Sequence, residues 1–226
     1  PNGGSGMEIS GDDNLIQYNE IENTNYNGIF YRHNPIVQYN YIKNSCLVKD
    51  DGGGIYTGGE YSGSTVRHNI INSVPGNWTA TGYDRPRSFG HGIYIDIPQK
   101  NVKVYENTVI DCGSGGIYLH DNVNTEVNNN TVFDARYGLI VNKDNGENTI
   151  RENLIYVLDE DDFEPNQILV SSNSQNTNFD SNIYISHYNN SNIFKIRSDY
   201  YNFNDWKKIT GKDDKSIFKN SALKEG

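Results

Sequence analysis

The chain has 226 residues and a net charge of −10, with 34 asparagines and 24 isoleucines but only 8 leucines and 3 alanines. Because Leu and Ala are good helix formers and Asn and Ile are poorer ones, this composition excludes a mainly helical protein. The acidic balance disfavours nucleic acid as a partner, the absence of a long apolar run gives no reason to expect a membrane partner, and two cysteines are too few for a disulfide scaffold.

A repeat of about 23 residues runs along the chain. One of its columns is an asparagine that precedes branched aliphatic residues, at Asn19, Asn40, Asn69, Asn107, Asn130, Asn153 and Asn182. A second column, a glycine followed by Ile or Leu, interleaves with the first at Gly28, Gly54, Gly92, Gly116 and Gly138. Two columns in register over several units predict a solenoid in which each repeat forms one rung.

Each repeat contains two or three short stretches in which apolar and polar residues alternate, as in β-strands. The sequence therefore predicts an all-β fold, a parallel β-helix of about seven rungs stacked roughly 4.8 Å apart. Asparagine tolerates the left-handed backbone of a tight turn, and its amide can bond to the asparagine of the next rung. We therefore expect the repeated asparagines to occupy left-handed turns and to form a ladder.

Three longer gaps between the repeated asparagines predict insertions. The first contains Lys49 to Gly53, the second a loop from Pro75 to Gly90, and the third the acidic run 159–164. The carboxylates of that run could hold Ca²⁺, but they lack the spacing of a defined calcium loop. We therefore predict no cofactor and no metal site, with a calcium ion as the alternative.

After residue 198 the repeat stops, and the segment from Asn204 to Gly211 is typical of a short helix that ends at a glycine. We predict a β-helix over 1–198 and a flanking segment with this helix over 199–226, packed on the rod. Within the rod, Cys46 and Cys112 fall in one inward column with Val74 and Ala135. Two rungs separate the cysteines, which is beyond the reach of a disulfide.

Two segments of the repeat resemble a known family. The sequences from Asp51 to Thr57 and from His91 to Asp96, together with the stretch from Trp206 to Ser216, are similar to right-handed parallel β-helix proteins of bacterial carbohydrate metabolism. The resemblance is strongest to the xylanase, xylosidase and fucosidase groups of glycoside hydrolases. It implies a secreted enzyme, extracellular or periplasmic, of which this chain is a segment. It also implies two catalytic acids from nearby rungs, which match Asp51 and Asp96.

The alternation of side chains along a strand predicts one outward face where aromatic and ionisable residues are in register. Its expected columns are the tyrosines and, two residues further on, Arg32, Gly58, Asp96, His120 and Asn142. Aromatic rings stack on sugars, and charged groups bond to hydroxyls, so we predict that this face binds substrate. The predicted substrate-binding residues are Arg32, Tyr56, Glu60, Trp78, Arg87, His91, Tyr94, Tyr118 and His120. The alternative is a solvated sheet face whose tyrosines only favour strands.

Several roles stay open at this level. Asp50 and Asp51 could instead cap a glycine-rich turn. Some relatives carry a Glu where this chain has His120, so Glu60 and Asp121 are reserve candidates for the second acid. We expect His91 and His120 to bond to substrate, although either could supply a proton. Arg32 could pair with Asp96 or with a substrate carboxylate, or could simply be exposed.

The leading functional hypothesis is a glycoside hydrolase that cleaves a polysaccharide or oligosaccharide between Asp51 and Asp96. One alternative is a polysaccharide lyase or uronate epimerase that uses His120 and Arg32, although the net charge of −10 would repel a uronate polymer. Another alternative is a non-catalytic carbohydrate-binding or adhesin rod, because a fold by itself does not imply catalysis. The oligomeric state stays open.

Overall fold

The computed structural model describes residues 4–80, 88–143, 146–158, 167–171, 175–187 and 192–221. The chain winds through turns of three short strands, and each turn stacks on the one before it as the repeat predicts. Within the described residues, no helix has both the length and the apolar character needed to cross a membrane. The predicted all-β parallel β-helix is confirmed, and one of its sheets contains seven stacked strands among the described residues.

Three faces make up each turn. The tyrosine face, which carries Tyr56, Tyr94 and Tyr118, is formed by Met7–Ile9, Ile29–Tyr31, Gly52–Thr57, Gly90–Ile95, the later parts of Thr108–His120 and Thr131–Asn142, Gln167–Ser171, Phe194–Ile196 and Asp199–Tyr201. The middle face is formed by Leu15–Gln17, Ile36–Gln38, Thr65–Arg67, Lys103–Tyr105, Glu126–Asn128, Asn148–Arg151 and Thr177–Asp180. The ladder face is formed by Glu20–Glu22, Tyr41–Lys43, Ile70–Val74, the first parts of the two long strands, Leu154–Val157, Ile183–Ser186 and Ile217–Asn220.

Strands pair in parallel with their equivalents one turn further on, and this register creates columns of equivalent residues. Ile93 lies opposite both Ile55 and Ile117, and Tyr94 lies opposite both Tyr56 and Tyr118. The three isoleucines are fully buried. Among the described strands, the pair formed by Phe194–Ile196 and Asp199–Tyr201 is the antiparallel exception.

Glycine precedes the inward isoleucines because a larger residue would collide with neighbouring side chains. A Cβ atom built on Gly92 would collide with a methyl group of Val109, and one on Gly116 would collide with a methyl group of Val132. Both valines belong to the ladder face, which approaches the tyrosine face closely at this corner. The close contact between these two faces therefore explains why the Gly-Ile pattern repeats.

The predicted asparagine ladder is present and buried. The side-chain amide of Asn107 donates to Asn130 Oδ1 at 2.9 Å and to the carbonyls of Val66 and Tyr105 at 3.0 and 3.1 Å. The backbone N–H of Asn107 also donates to Asn130 Oδ1, at 3.0 Å. The same pattern links Asn40 to Asn69 and Asn153 to Asn182.

The prediction that these asparagines occupy the left-handed turn is wrong by one residue. Positive φ angles occur instead at the residue before each ladder asparagine, at Tyr18, Tyr39, His68, Glu106, Asn129, Glu152 and Ser181. The left-handed residue makes the bend, and the asparagine that follows turns its amide inward toward the carbonyls of two turns. The ladder thus selects Asn for its hydrogen bonds and not for its backbone.

The C-terminal segment packs against aromatic residues of the last turns of the rod. The helix Phe203–Thr210 begins after Asn202, whose side chain accepts from the N–H of Asp205, and ends at Gly211 with φ 65°. Trp206 is fully buried, with its ring 5.3 Å from that of Phe194 and its Nε1 2.7 Å from Asp213 Oδ2. The last strand, Ile217–Asn220, returns to pair in parallel with Ile183–Ser186 on the ladder face.

The cysteines lie in the expected inward column. Cys112 is opposite Val74 on one side and Ala135 on the other, and both Cys46 and Cys112 are buried free thiols. Burial raises the pKa of Cys46 to about 12. Both cysteines are therefore core residues.

Candidate functional site

The tyrosine face carries a continuous column of rings along the rod axis. The centroids of Phe30 and Tyr56 are 5.2 Å apart, and those of Tyr94 and Tyr118 are 4.6 Å apart with nearly parallel planes. The ring of His120 continues the stack at 5.6 Å from Tyr118. Phe30, Tyr56, Tyr94 and Tyr118 form the column because they occupy the same outward position on successive turns. His120 joins it from the same strand as Tyr118, two residues further on.

Asp96 follows the strand Gly90–Ile95 and is held by three neighbouring groups. Its Oδ2 accepts from the hydroxyl of Tyr56 at 2.9 Å, and its Oδ1 accepts from the N–H of Ile97 at 3.0 Å. Nδ1 of His120 lies 2.7 Å from the same Oδ1. Asp96 is only 8% exposed, and both of its carboxyl oxygens have hydrogen-bond partners.

Local backbone geometry supports this arrangement of Asp96. Ile97 has a φ angle of 22°, which is a strained conformation for a β-branched residue. On the turn below, Gly58 occupies the position next to Asp96, and a Cβ atom there would lie 3.0 Å from the Tyr56 hydroxyl. A glycine at this position therefore leaves room for Tyr56 to reach Asp96.

Asp51 lies at the other end of the tyrosine face, just before the strand Gly52–Thr57. Its backbone is left-handed, with φ 56°, and its carbonyl accepts from the hydroxyl of Tyr26 at 2.9 Å. Its side chain is exposed on one side. Partial burial raises the pKa of Asp51, the negative charges of Asp96 and Asp50 raise it further, and His120 lowers it. Asp51 and Asp96 are thus close enough to interact electrostatically.

Asp50, by contrast, has a clear structural role. Its Oδ1 accepts from the N–H of Phe89 at 2.6 Å, and the residue is buried. Burial raises the pKa of Asp50, and hydrogen bonds from the backbone of Phe89, Asp51 and Asn77 lower it. Asp50 therefore binds backbone groups near both ends of the insertion between Val74 and Gly90.

The tyrosine hydroxyls around the two carboxylates remain protonated donors. Burial, followed by the charge of Asp96, raises the pKa of Tyr56 and of Tyr94 far above the ordinary range. Burial also raises the pKa of Tyr118, whose hydroxyl accepts from Asn142 at 3.1 Å. Burial and the nearby Asp51 raise the pKa of Tyr26 to about 12.

The family comparison agrees with this architecture. A family model described as a right-handed β-helix region matches residues 1–155, which is more than half of the chain. The chain belongs to the right-handed β-helix family. No curated protein and no solved structure matches it significantly.

The β-helix places His91 differently from the prediction that it bonds to substrate. His91 is 1% exposed, and its Nδ1 accepts from the N–H of Gly115 at 3.0 Å. Its ring is covered by Tyr94 and Tyr118, at 4.7 and 4.8 Å. Burial lowers the pKa of His91 to about 3, so the ring is neutral. This geometry corrects the prediction, because a sugar cannot reach the buried imidazole.

Arg32 and Trp78 are two further predicted substrate-binding residues that the structure describes. Arg32 stacks on Phe30, with Cζ 4.2 Å from the ring centroid, and its Nη1 lies 3.4 Å from Ser10 Oγ, so it does not pair with Asp96. Trp78 is 44% exposed in a short 3₁₀ helix, Trp78–Ala80. Arg87 lies outside the described residues, as does the acidic run 159–164 proposed as a calcium ligand.

The two reserve acids, Glu60 and Asp121, lie in turns that follow strands of the tyrosine face. Glu60 is exposed in the turn after Gly52–Thr57 and is not among the charges that shift the pKa of Asp51. Asp121 follows His120 with a left-handed φ of 62°.

Among the residues that the structure describes, no group of three or more His, Cys, Asp or Glu side chains could hold a metal ion.

Sequence reasoning missed two residues of this region. Tyr26 covers Gly52 and bonds to Asp51, but it belongs to a turn of irregular length that the repeat does not predict. Lys49 lies with its ammonium 5.2 Å from the Tyr26 ring centroid. Asn142, which the outward column did contain, bonds to the Tyr118 hydroxyl.

Proposed function

We propose that the chain is the β-helix of a glycoside hydrolase in which Asp51 is the general acid and Asp96 the ionised partner. The observation that carries this proposal is a pair of carboxylates on one face that interact electrostatically but have different surroundings. Glycoside hydrolysis needs one protonated and one ionised carboxyl group. Enzymes assign these two roles by giving the two carboxyl groups different surroundings.

The proposed reaction follows from these roles. Asp51 transfers its proton to the glycosidic oxygen, and the bond between that oxygen and the anomeric carbon breaks. Asp96 either accepts a proton from the water that attacks this carbon or attacks the carbon itself, after which water releases the sugar. Tyr56 and His120 orient the Asp96 carboxylate, and the aromatic column offers a surface for the sugar rings.

The test is activity on xylan, fucosylated glycans and uronate-containing glycans, measured as release of reducing ends. Asp51→Asn and Asp96→Asn are each expected to lower turnover about a hundredfold or more, which is typical for loss of general acid–base catalysis. Asp199→Asn is the matched control, because this acid is exposed near the C-terminal end of the rod. Unchanged release by Asp96→Asn would defeat the mechanism.

One observation favours a second candidate, a polysaccharide lyase or uronate epimerase. The 2.7 Å contact between Asp96 and Nδ1 of His120 would fix the imidazole and leave its Nε2 as a base for proton abstraction. A lyase produces an unsaturated uronate, which absorbs ultraviolet light, whereas a hydrolase does not. Absorbance that appears with a uronate substrate and is lost in His120→Gln would favour this candidate.

The partner that we propose is a polysaccharide or oligosaccharide, and the proposed location is extracellular or periplasmic. The right-handed β-helix supports a carbohydrate-binding role without deciding between catalysis and binding alone. Binding of a glycan without any product would favour the non-catalytic rod.

A further inference from the structure

Aromatic rings form a second column on the rod, at the corner between the middle face and the ladder face. The rings of Tyr18 and Tyr39 are stacked with centroids 5.3 Å apart, and the ring of His68 lies 4.8 Å from Tyr39 on the next turn. Tyr39 is 44% exposed although it stacks on a ring of each neighbouring turn, so the column is open along its side. This corner joins the two faces other than the tyrosine face, and a ligand here would be separate from the candidate site.

The surface of this corner is uncharged on the first two turns that the structure describes. Segments 15–19 and 36–40 contain no Asp, Glu, Lys, Arg or His. Leu15 pairs with Ile36, and both side chains are exposed on the same turns as the two tyrosines. On the later turns this column holds polar residues, namely Thr65, Lys103, Glu126, Thr149 and Asn178. The apolar, neutral character is therefore local, in a chain with a net charge of −10.

The fold does not require tyrosine at these two positions. Tyr18 and Tyr39 have left-handed backbones, with φ 57° and 54°, a conformation that is unfavourable for a bulky side chain. The same position on later turns, one residue before a ladder asparagine, holds Glu106, Asn129, Glu152 and Ser181. Because polar residues form the same bend, the two tyrosines indicate a role other than folding.

A row of planar polar groups runs beside the aromatic column. Gln38 Nε2 donates to Gln17 Oε1 at 2.7 Å, and Arg67 Nε donates to Gln38 Oε1 at 2.8 Å. Arg67 Nη1 also donates to the Tyr105 hydroxyl at 2.7 Å. An amide nitrogen carries two N–H groups, and the bond between the glutamines uses one of those on Gln38. Because these bonds already order the amides, a ligand that binds to them loses less free energy to side-chain ordering.

We propose that this corner binds a neutral polysaccharide that runs along the rod axis, through the side chains of Gln17, Tyr18, Gln38 and Tyr39. Sugar units present C–H groups that pack on aromatic rings and hydroxyls that bond to amides. Equivalent residues repeat roughly every 4.8 Å along the rod, a distance comparable to one unit of an extended β-linked chain. A second copy of the chain is a poorer occupant, because it would bring together two molecules that each carry a net charge of −10. Binding at this corner site requires no catalysis, so it goes beyond the proposed hydrolysis.

The test is native affinity electrophoresis of the full chain, run in the cold through gels that contain one polysaccharide each. The probes are three neutral polymers, xylan, β-mannan and mixed-linkage β-glucan, and the acidic polygalacturonate. At least one neutral polymer is expected to retard the wild-type chain, and Tyr18→Asn and Tyr39→Asn are each expected to lower that affinity about tenfold. Both variants should fold, because Asn favours a left-handed backbone and Asn129 occupies the same position. An unchanged or raised Tm checks this.

Tyr200→Asn is the matched control, because this tyrosine has a similar exposed fraction, 39%, near the other end of the rod. It is expected to leave the retardation unchanged. Retardation by no neutral polymer, retardation that survives both Tyr18→Asn and Tyr39→Asn, or Tyr39-dependent binding of polygalacturonate alone overturns the proposal. A concentration-dependent dimer that is lost in Tyr39→Asn, measured by sedimentation velocity, assigns the surface to a second copy and overturns it as well.

The corner site and the hydrolase proposal can fail separately. If Tyr39→Asn lowers binding of a neutral polymer but the wild-type chain cleaves no glycan, the hydrolase proposal fails and the corner site stands. If the chain cleaves a glycan and its binding does not depend on Tyr18 or Tyr39, the corner site fails and the hydrolase proposal stands.

Discussion

Nδ1 of His120 lies 2.7 Å from Oδ1 of Asp96, although the two residues are 24 positions apart in the chain. The parallel register produces this contact, because Ile95 lies opposite Leu119 and the next residues of both strands then face each other. Tyr56, from the turn below, reaches the other oxygen of the same carboxylate. Three successive turns therefore contribute to one hydrogen-bonded group.

Loss of the Tyr56 hydroxyl should affect catalysis more than folding. Tyr56→Phe keeps the ring in the aromatic column but removes a hydrogen bond to a charged group, which is worth about 1.5–3 kcal/mol. We expect turnover on the active glycan to fall about tenfold or more, measured by reducing-end release. Tyr118→Phe is the control, since its hydroxyl bonds to Asn142 instead. An equal loss of turnover in both variants would contradict the proposed role of Tyr56.

The pH dependence of turnover should follow Asp51. As a general acid Asp51 must be protonated, so activity is lost as the pH rises through its pKa, and a raised pKa extends activity to higher pH. Asp50→Asn removes a negative charge that raises the pKa of Asp51, and the new side chain can still accept from Phe89. We expect the alkaline limb of the kcat/KM profile to move to lower pH. A shift to higher pH would exclude Asp51 as the acid.

Removal of one ladder asparagine should destabilise the rod strongly. Asn107→Ala leaves the buried carbonyls of Val66 and Tyr105 without their amide donor and removes the acceptor that serves Asn69. Unsatisfied buried groups cost about 1–3 kcal/mol each, so we expect a loss of about 3 kcal/mol or more in the free energy of unfolding in urea. The exposed Asn178→Ala is the control, expected within about 0.5 kcal/mol of wild type. Similar losses in both variants would contradict the ladder's role.

The two thiols should be unreactive in the folded protein. Cys46 and Cys112 are buried, and burial raises the pKa of both, so almost no thiolate is available at pH 8. Titration with an aromatic disulfide reagent is expected to be about a hundredfold slower than in denaturant. Two thiols should react after unfolding, and fast reaction of either one in the native protein would disprove its burial.

The sequence could predict which residues of the candidate site share a column. Side chains alternate along each strand, and the repeat places equivalent positions above one another. The neighbourhood of Asp96 and His120 and the column of tyrosines are examples. The burial of His91 could not be predicted in this way. It depends on how Tyr94 and Tyr118 fold over a ring that lies between Gly53 and Gly115.

The irregular turns were also beyond a repeat-based prediction. Lys49, Asp50 and Tyr26 lie in connections whose lengths differ from turn to turn, so no column specifies their neighbours. The structure separates Asp50, which fastens an insertion, from Asp51, which faces the site. From the sequence, the family resemblance selected Asp51 as a catalytic acid, while the capping alternative applied to both acids.

The sequence by itself determined the rod, since a local pattern repeated along the chain fixes strand pairing, the asparagine ladder and the inward columns. Tertiary structure alone decided which outward groups reach one another and which remain open to solvent. Those outcomes depend on turn conformation and on the packing of side chains from different turns. The repeat does not specify which residues meet in these contacts. The arrangement of Asp96, Tyr56 and His120 belongs to this second category.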